Sequence, residues 1–326
     1  MDGKELTVVI PRFSEGEEEV APLLASIAGQ LGHGWDATEV VVVTDGGEGH
    51  AEPLSARFLS RWPMLEVRQV LRGANGGPGM ARQSGIDAAR GEWLMFCDAD
   101  DCLQNVGALE YLLQEARASR ADVVTSAWLE ELPDGAGGWR YLTHAHEATW
   151  MHGKLFRASF LAERGVRHHP DLRVHEDTYF LSIATALGSV RELDGVTYVW
   201  RWGDDTITRR DGSAYTWDSM PTFVLACTES FRRVADEAPS AMPEKAAQLA
   251  LYTFFTLHSR AWLDKPGKVA PVEAEFRRDM APWWGAVDEF ERSEGFPALY
   301  ARERAKSLDV PETTTWADWS ARMRRR

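Results

Sequence analysis

The sequence predicts an α/β protein built on a mostly parallel sheet flanked by helices, with a mainly helical extension at its C-terminal end. Three observations carry that prediction. Short β-branched runs alternate with stretches of helical periodicity from Met1 to Asp101, the pattern of strand–helix–strand units. The runs end in proline, glycine or acid, as strands do where they meet a ligand cleft. From about Ser219 the pattern changes to longer helical repeats.

The elements follow in order. Residues 6–10 form a β-branched run stopped by Pro11, and residues 20–31 carry helical spacing behind the acidic turn 15–19. Residues 39–44 read as a second buried strand ending in Asp45, Gly46 and Gly47. Residues 65–71 are a third, opening into the glycine-rich loop from Arg72 to Gly79. A helix over residues 80–89 and a strand over 93–97 complete the pattern, and that strand ends in Asp98, Asp100 and Asp101. Right-handed crossovers bring Pro11, Asp45, Arg72 and Asp98 to one edge of the sheet. A helix at residues 106–119 and a strand at 122–129 come next, then a hairpin turn at 133–138. Two later segments stand out: Trp150 to Lys154, and His168 to Phe180, which leads into a small-residue helix over 178–187. Helical patterns then dominate, including residues 244–264, with Pro266, Pro271 and Pro282 as breaks. The division falls into residues 1–218 and a Trp-rich region, 219–326.

Composition narrows the class. A chain of 326 residues with 44% hydrophobic and 26% charged residues can bury a large core. Its formal charge of −14 disfavours nucleic acid and anionic membrane as partners, since phosphate binding needs a basic face. No apolar run approaches the ~20 residues of a membrane span, and Met1 to Glu5 lacks the apolar core of a signal peptide, which implies a cytoplasmic protein. Cys97, Cys102 and Cys227 are too few for a disulfide framework or zinc site and read as packing residues.

The acid cluster bears chemistry. Asp98, Asp100 and Asp101 at a strand end suit a hard cation such as Mg2+ or Mn2+, which prefers carboxylate oxygens and leaves positions for substrate phosphates. The competing reading is a solvated acidic turn that caps the next helix. His168, His169 and His175 match no compact zinc spacing.

Taken together these segments resemble the family 2 glycosyltransferases with a GT-A fold, over roughly residues 5–210. The resemblance rests on Val8 to Pro11, Val41 to Gly47, Asn75 to Arg82, Asp98 to Asp101, Trp150 to Lys154, His175 to Thr178, and Trp200 and Arg201 with Thr206 to Thr208. The chain departs from that pattern at Arg12, Phe13 and Ser14 after the first strand, at Gly47 and at Gln83.

The resemblance implies a metal-dependent, inverting transfer of a sugar from a nucleoside diphosphate sugar, a UDP-sugar first, to an acceptor hydroxyl. It places Pro11 and Asp45 at the nucleobase, with Asp45 accepting from a ring N–H, and sets Arg72 between a base or phosphate contact and an ordinary surface role. Arg82 either faces the diphosphate or pairs with an acid. It gives Asp98 and Asp100 to the donor and to Mn2+ or Mg2+, with Asp101 in support. Asp177 is the general base and Glu176 its partner, because adjacent helical residues point about 100° apart and cannot both address one atom. Trp150, Lys154 and His175 border the acceptor side, and Arg201, Thr206 and Thr208 lie on a loop over the diphosphate. The C-terminal region is expected to supply core tryptophans and either to shape the acceptor site or to form an oligomer contact, and the arginines at 322–326 to be a solvated tail. The alternatives are a noncatalytic sugar- or protein-binding module on this fold and a sugar nucleotidyltransferase; the acidic loop after the first strand disfavours the latter.

Overall fold

The computed structural model describes residues 3–145, 149–203, 212–306, 310–311 and 314–325. Thr206 and Thr208 lie outside that set, as does the side chain of Trp217. The chain separates into two compact units, residues 1–209 and 210–326.

The first unit begins β1 (Lys4–Arg12), α1 (Glu17–Ala28), β2 (Thr38–Thr44), α2 (Ala56–Leu59), β3 (Val67–Leu71), α3 (Pro78–Ala88) and β4 (Gly91–Phe96). It continues with β5 (Cys102–Leu103), α4 (Ala108–Ser119), β6 (Val123–Pro133), β7 (Trp139–His144), β8 (Lys154–Arg157), α5 (Ala158–Glu163), α6 (Glu176–Leu187) and β9 (Val190–Trp200). The sheet runs β3-β2-β1-β4-β8-β6-β9-β5, with β7 paired to β6. Its first four strands are parallel, so the ends of β1 to β4 do meet at one edge. The sheet as a whole is mixed, because β8 is antiparallel to both β4 and β6, and β5 to β9.

Burial on both faces explains the continuous apolar runs. Leu6, Val8 and Ile10 of β1 pack with Val40 and Val42 against Leu23, Leu24 and Ile27 of α1 and Leu109, Leu112 and Leu113 of α4. The alternate residues Val9, Val41 and Phe96 pack on the other face against Ala81 of α3 and Phe180, Leu181 and Ile183 of α6.

Pro11 does not stop β1, which runs on to Arg12 and pairs Pro11 with Val43. The β4 side of the ladder has already ended at Val9 and Phe96, so the missing proline N–H leaves no partner wanting. The hairpin at 133–138 is present between β6 and β7.

The second unit is helical: α7 (Gly212–Glu237), α8 (Met242–Leu257), α9 (Arg260–Leu263), α10 (Pro266–Met280), α11 (Trp284–Glu291), α12 (Phe296–Lys306) and α13 (Trp316–Arg324). Pro266 opens α10 and Pro282 lies in the turn after it, but Pro271 sits inside α10, where its fixed φ is already helical and only one backbone bond is lost. Trp262, Trp284, Trp316 and Trp319 are buried within this unit. The indole N–H of Trp316 donates to Glu291 and that of Trp319 to Glu273. Two of the terminal arginines are paired rather than free: Arg322 pairs with Glu273, and Arg324 pairs with Asp288 and Glu291 while lying over the Trp284 ring. No helix of the described residues is long and apolar enough to cross a membrane.

Candidate active site

Where β4 ends, the chain turns through Asp98, Ala99, Asp100 and Asp101. Asp101 points inward and is 0% exposed; the Tyr198 hydroxyl donates to it at 2.6 Å and the Arg201 N–H at 2.9 Å. The same Tyr198 oxygen accepts from the Asp98 N–H, and the Arg201 guanidinium donates to the Asp100 carbonyl. The end of β9 is thus fastened to the acid turn at four points. Burial and the neighbouring Asp98 push Asp100 up to about 6, and burial with Asp100 and Asp98 pushes Asp101 well above the carboxylate range.

Arg82, on the first turns of α3, joins this turn to the start of α6. Its guanidinium donates to Asp98 at 2.6 Å and to Glu176 at 2.8 Å, and the side chain is almost wholly buried. Burial works against the charge of Asp98, yet Arg82 holds its carboxyl below the usual range. The close approach depends on Gly79, where a Cβ would stand 2.6 Å from Cγ of Glu176. Glu176 is buried, and burial with Asp177 beside it pushes its pKa up to about 7 against the pull of Arg82. Asp177 turns outward and is partly exposed, and burial of its surroundings raises it as well. One of its oxygens accepts from the Thr178 N–H at 2.7 Å, which leaves the other for a substrate proton. His175, before them, holds a left-handed backbone at φ 60°, unusual for a non-glycine residue.

At the end of β2, Asp45 anchors the glycine-rich loop. Its carboxylate accepts from Nε of Arg72 at 2.7 Å and from the N–H groups of Gly76 and Gly77. Arg72 also donates to the Met80 carbonyl and the Ser84 hydroxyl. A Cβ at Gly46 would fall 1.9 Å from the Arg72 carbonyl oxygen, so glycine is required there. Pro11 is buried one strand away. Arg12 serves as a strut, donating to the Glu15 and Glu52 carbonyls and the Thr44 hydroxyl.

Lys154 does not face an acceptor: it is 1% exposed, and its ammonium donates to the carbonyls of Trp150 and His152. Those carbonyls are what a lysine buried at the head of β8 can satisfy. Trp150 is partly exposed and packs 5.2 Å from Trp200. His152 lies among Trp128, Trp150, Tyr198 and Trp200, with its Nδ1 4.0 Å from an Asp101 oxygen. Burial pushes the imidazole down to about 3, so it is neutral.

The strand ends bring Pro11, Asp45, Arg72 and Asp98 to one edge, and Arg82 of α3 joins Asp98 there to Glu176 at the start of α6. The residues that sequence reasoning passed over are His152 and Tyr198, and Asp101 is more deeply placed than a capping acid. Their one sequence signal is position, inside the Trp150–Lys154 segment and just before Trp200. Donor atoms of Asp98, Asp101 and His152 lie within 4.8 Å of one another, a set that fits a divalent cation. Among the described residues, His168 and His169 join no such set; His168 instead stacks on Phe180.

A mixed sheet with helices on both faces and acids at the carboxyl ends of its parallel strands has the architecture of the GT-A fold. The match of the family model for glycosyl transferase family 2 to residues 7–171 makes the assignment specific: the chain belongs to that family. It is 27% identical over 192 residues to the uncharacterized glycosyltransferase EpsJ of Bacillus subtilis, covering 52% of this chain and 54% of that one. The chain spans about half the length of such relatives. Among solved structures, S. aureus TarS 1–349 superposes with a TM-score of 0.62 at 20% identity, over 93% of this chain and 88% of that one. The mannosyltransferase PcManGT from Pyrobaculum calidifontis, in complex with GDP-Man and Mn2+, gives 0.57 at 17%, over 92% and 84%. At these identities the structures establish the fold.

Proposed function

We propose that the first unit transfers a sugar from a nucleoside diphosphate sugar, with a UDP-sugar as the leading donor, to an acceptor hydroxyl with inversion at the anomeric carbon. The single observation that carries this reading is the Arg82 bridge, which draws Asp98 of the acid turn and Glu176 beside Asp177 into one cleft. Donor and base are needed on opposite sides of one sugar ring, and the bridge holds a carboxylate from each segment on one guanidinium. The solved relatives add support: TarS 1–349 is in complex with UDP and PcManGT with GDP-Man and Mn2+.

In this reading Pro11, Asp45 and Arg72 shape the base pocket, with Asp45 acting chiefly by holding Arg72 and the loop in place. Asp98 and Asp100 carry the divalent cation, Mn2+ or Mg2+, which neutralises charge on the leaving diphosphate. Asp177 takes the proton from the acceptor hydroxyl as it attacks, while Glu176, held by Arg82, keeps Asp177 turned toward the cleft. A single displacement needs no enzyme nucleophile, so the product is inverted. Trp150 and Trp200 offer aromatic faces on the acceptor side.

The test is thermal unfolding with UDP, GDP and CDP, each with and without Mn2+. A ligand at about 100 times its Kd stabilises by roughly 2.7 kcal/mol. A metal-dependent shift with UDP is expected; no shift with any nucleotide would return the chain to the noncatalytic binding-module reading.

A further inference from the structure

The segment that leads into α6 is fastened along α3 at several points. Arg167 donates to Asp87 at 3.0 Å, the His168 N–H to Gln83 at 3.1 Å, and Arg82 to Glu176 at 2.8 Å. A further fastening lies ahead of the helix, on the glycine-rich loop itself. Arg173 donates through Nη1 to the side-chain oxygen of Asn75 at 2.8 Å and through Nη2 to the Asn75 carbonyl at 3.0 Å, across 98 positions of chain. Gly77 packs on the same arginine: a Cβ there would stand 3.6 Å from its Cα. Asn75 is held from the loop side too, since its side-chain oxygen also accepts from the Gly77 N–H. The grip is two-pronged, a geometry that a planar guanidinium makes and an ammonium does not.

We propose that Arg173 is a positioning residue, which ties the placement of Asp177 to the state of the nucleobase pocket. This rests on the donor and base assignments above. The line of contacts starts at Asp45. Its oxygens accept from Arg72 and from the Gly76 and Gly77 N–H groups, with Gly76 reaching both, so the acceptor positions of the carboxylate are already taken. A ring N–H that docks on Asp45 must share or displace one of these contacts, and all but the one from Arg72 come from the loop. The loop therefore answers to the base. Asn75 carries that answer to Arg173, and Val174 and His175 alone stand between Arg173 and the start of α6 at Glu176. His175 holds its left-handed backbone there, so a single turn that L-residues disfavour sets the direction in which α6 leaves. Arg82 pins Glu176 on the buried side. Asp177 takes its hydrogen bonds from Thr178 of its own helix, so its place follows from where that helix begins. Arg173 is exposed, and removing its side chain should leave the fold intact.

The experiment is amide hydrogen exchange of the full chain, with and without UDP and Mn2+, followed in peptides of the loop at 73–82 and of the segment at 172–182. In the wild type, UDP with Mn2+ is expected to slow exchange in both. In Arg173→Ala the loop should keep its UDP-induced slowing while the 172–182 segment loses it, and Arg173→Lys, with one prong left for the Asn75 carbonyl, should restore part of the loss. Slowing confined to the loop in the wild type, or slowing of both segments in Arg173→Ala, would overturn the coupling while leaving the donor reading in place. Faster exchange at 172–182 in Arg173→Ala by the same factor with and without UDP, the UDP response intact, would make Arg173 a structural contact only and overturn the proposal as well. Absence of any UDP response at 73–82 in the wild type would overturn the donor reading itself.

Discussion

The two edges of the parallel half of the sheet treat buried acid in opposite ways. At the edge where the strands begin, Glu39 is 0% exposed and fully matched: Thr7 and the Arg90 N–H donate to one oxygen, and Arg68 and Nε of Arg90 to the other. Burial opposes its charge, but these donors hold its carboxyl below the ordinary range. At the edge where the strands end, one buried guanidinium, Arg82, is shared by Asp98, Glu176 and Asp177, and burial pushes up Asp100, Asp101, Glu176 and Asp177. The same residue type, on the same sheet, is a stabilising element at one edge and a reservoir of unmatched charge at the other. Unmatched charge is what a ligand cation and a substrate proton can use, which is why perturbed acids cluster at functional sites.

The comparison breaks most visibly at Asp177. Asp177→Asn is expected to lower transfer by about 100- to 10,000-fold while UDP-induced stabilisation persists, as steady-state rates set beside thermal shifts will show; a near-normal rate would remove Asp177 from the mechanism. The pH profile sharpens it next. Because burial raises Asp177, the acid limb of the rate should sit above the ordinary carboxylate range, with activity falling about tenfold per unit below the limb. A limb centred in the usual range of free carboxylates would contradict the shared, under-neutralised cleft.

Stability measurements address the opposite edge. Glu39→Gln should cost about 2 kcal/mol by urea unfolding at neutral pH without altering UDP affinity. The sign follows from linkage: the folded pKa of Glu39 is depressed, so its contribution is present above the unfolded value and lost as pH falls through the folded one. Asp100→Asn should do the reverse, stabilising the metal-free protein by about 1 kcal/mol. The pKa of Asp100 is raised to about 6, so the wild-type carboxylate is a burden that grows as pH rises from the unfolded value through about 6 and is complete above it. The gain should therefore appear at neutral pH and vanish in acid. The smallest effect belongs to a matched surface pair: Arg322→Ala, which removes the contact with Glu273, is expected to change stability by about 0.5 kcal/mol or less.

Much of the molecule was legible because local patterns govern it. Strands β1 to β4 are runs buried on both faces, and α1, α3, α4 and α6 carry the apolar spacing that fits them. Strands β8 and β9 escaped notice for physical reasons: β8 begins with Lys154 and ends with Arg157, and β9 carries Asp194 and Gly195 in its middle, so both read as loop until their neighbours pair with them. In the site, Asp98, Asp100, Glu176 and Asp177 could be picked out by segment. That Lys154 turns inward could not, because its partners are backbone carbonyls invisible in any pattern.

The sequence by itself determined the strand–helix alternation, the edge to which the acids come, and the family, since each depends on residues close along the chain. Only the tertiary structure decided which charges meet. Arg82 reaches Asp98 across 16 positions and Glu176 across 94, and Tyr198 reaches Asp101 across 97. Contacts of that span are set by how the sheet and its crossovers pack, and a carboxylate's pKa answers to burial and to those neighbours rather than to its place in the chain.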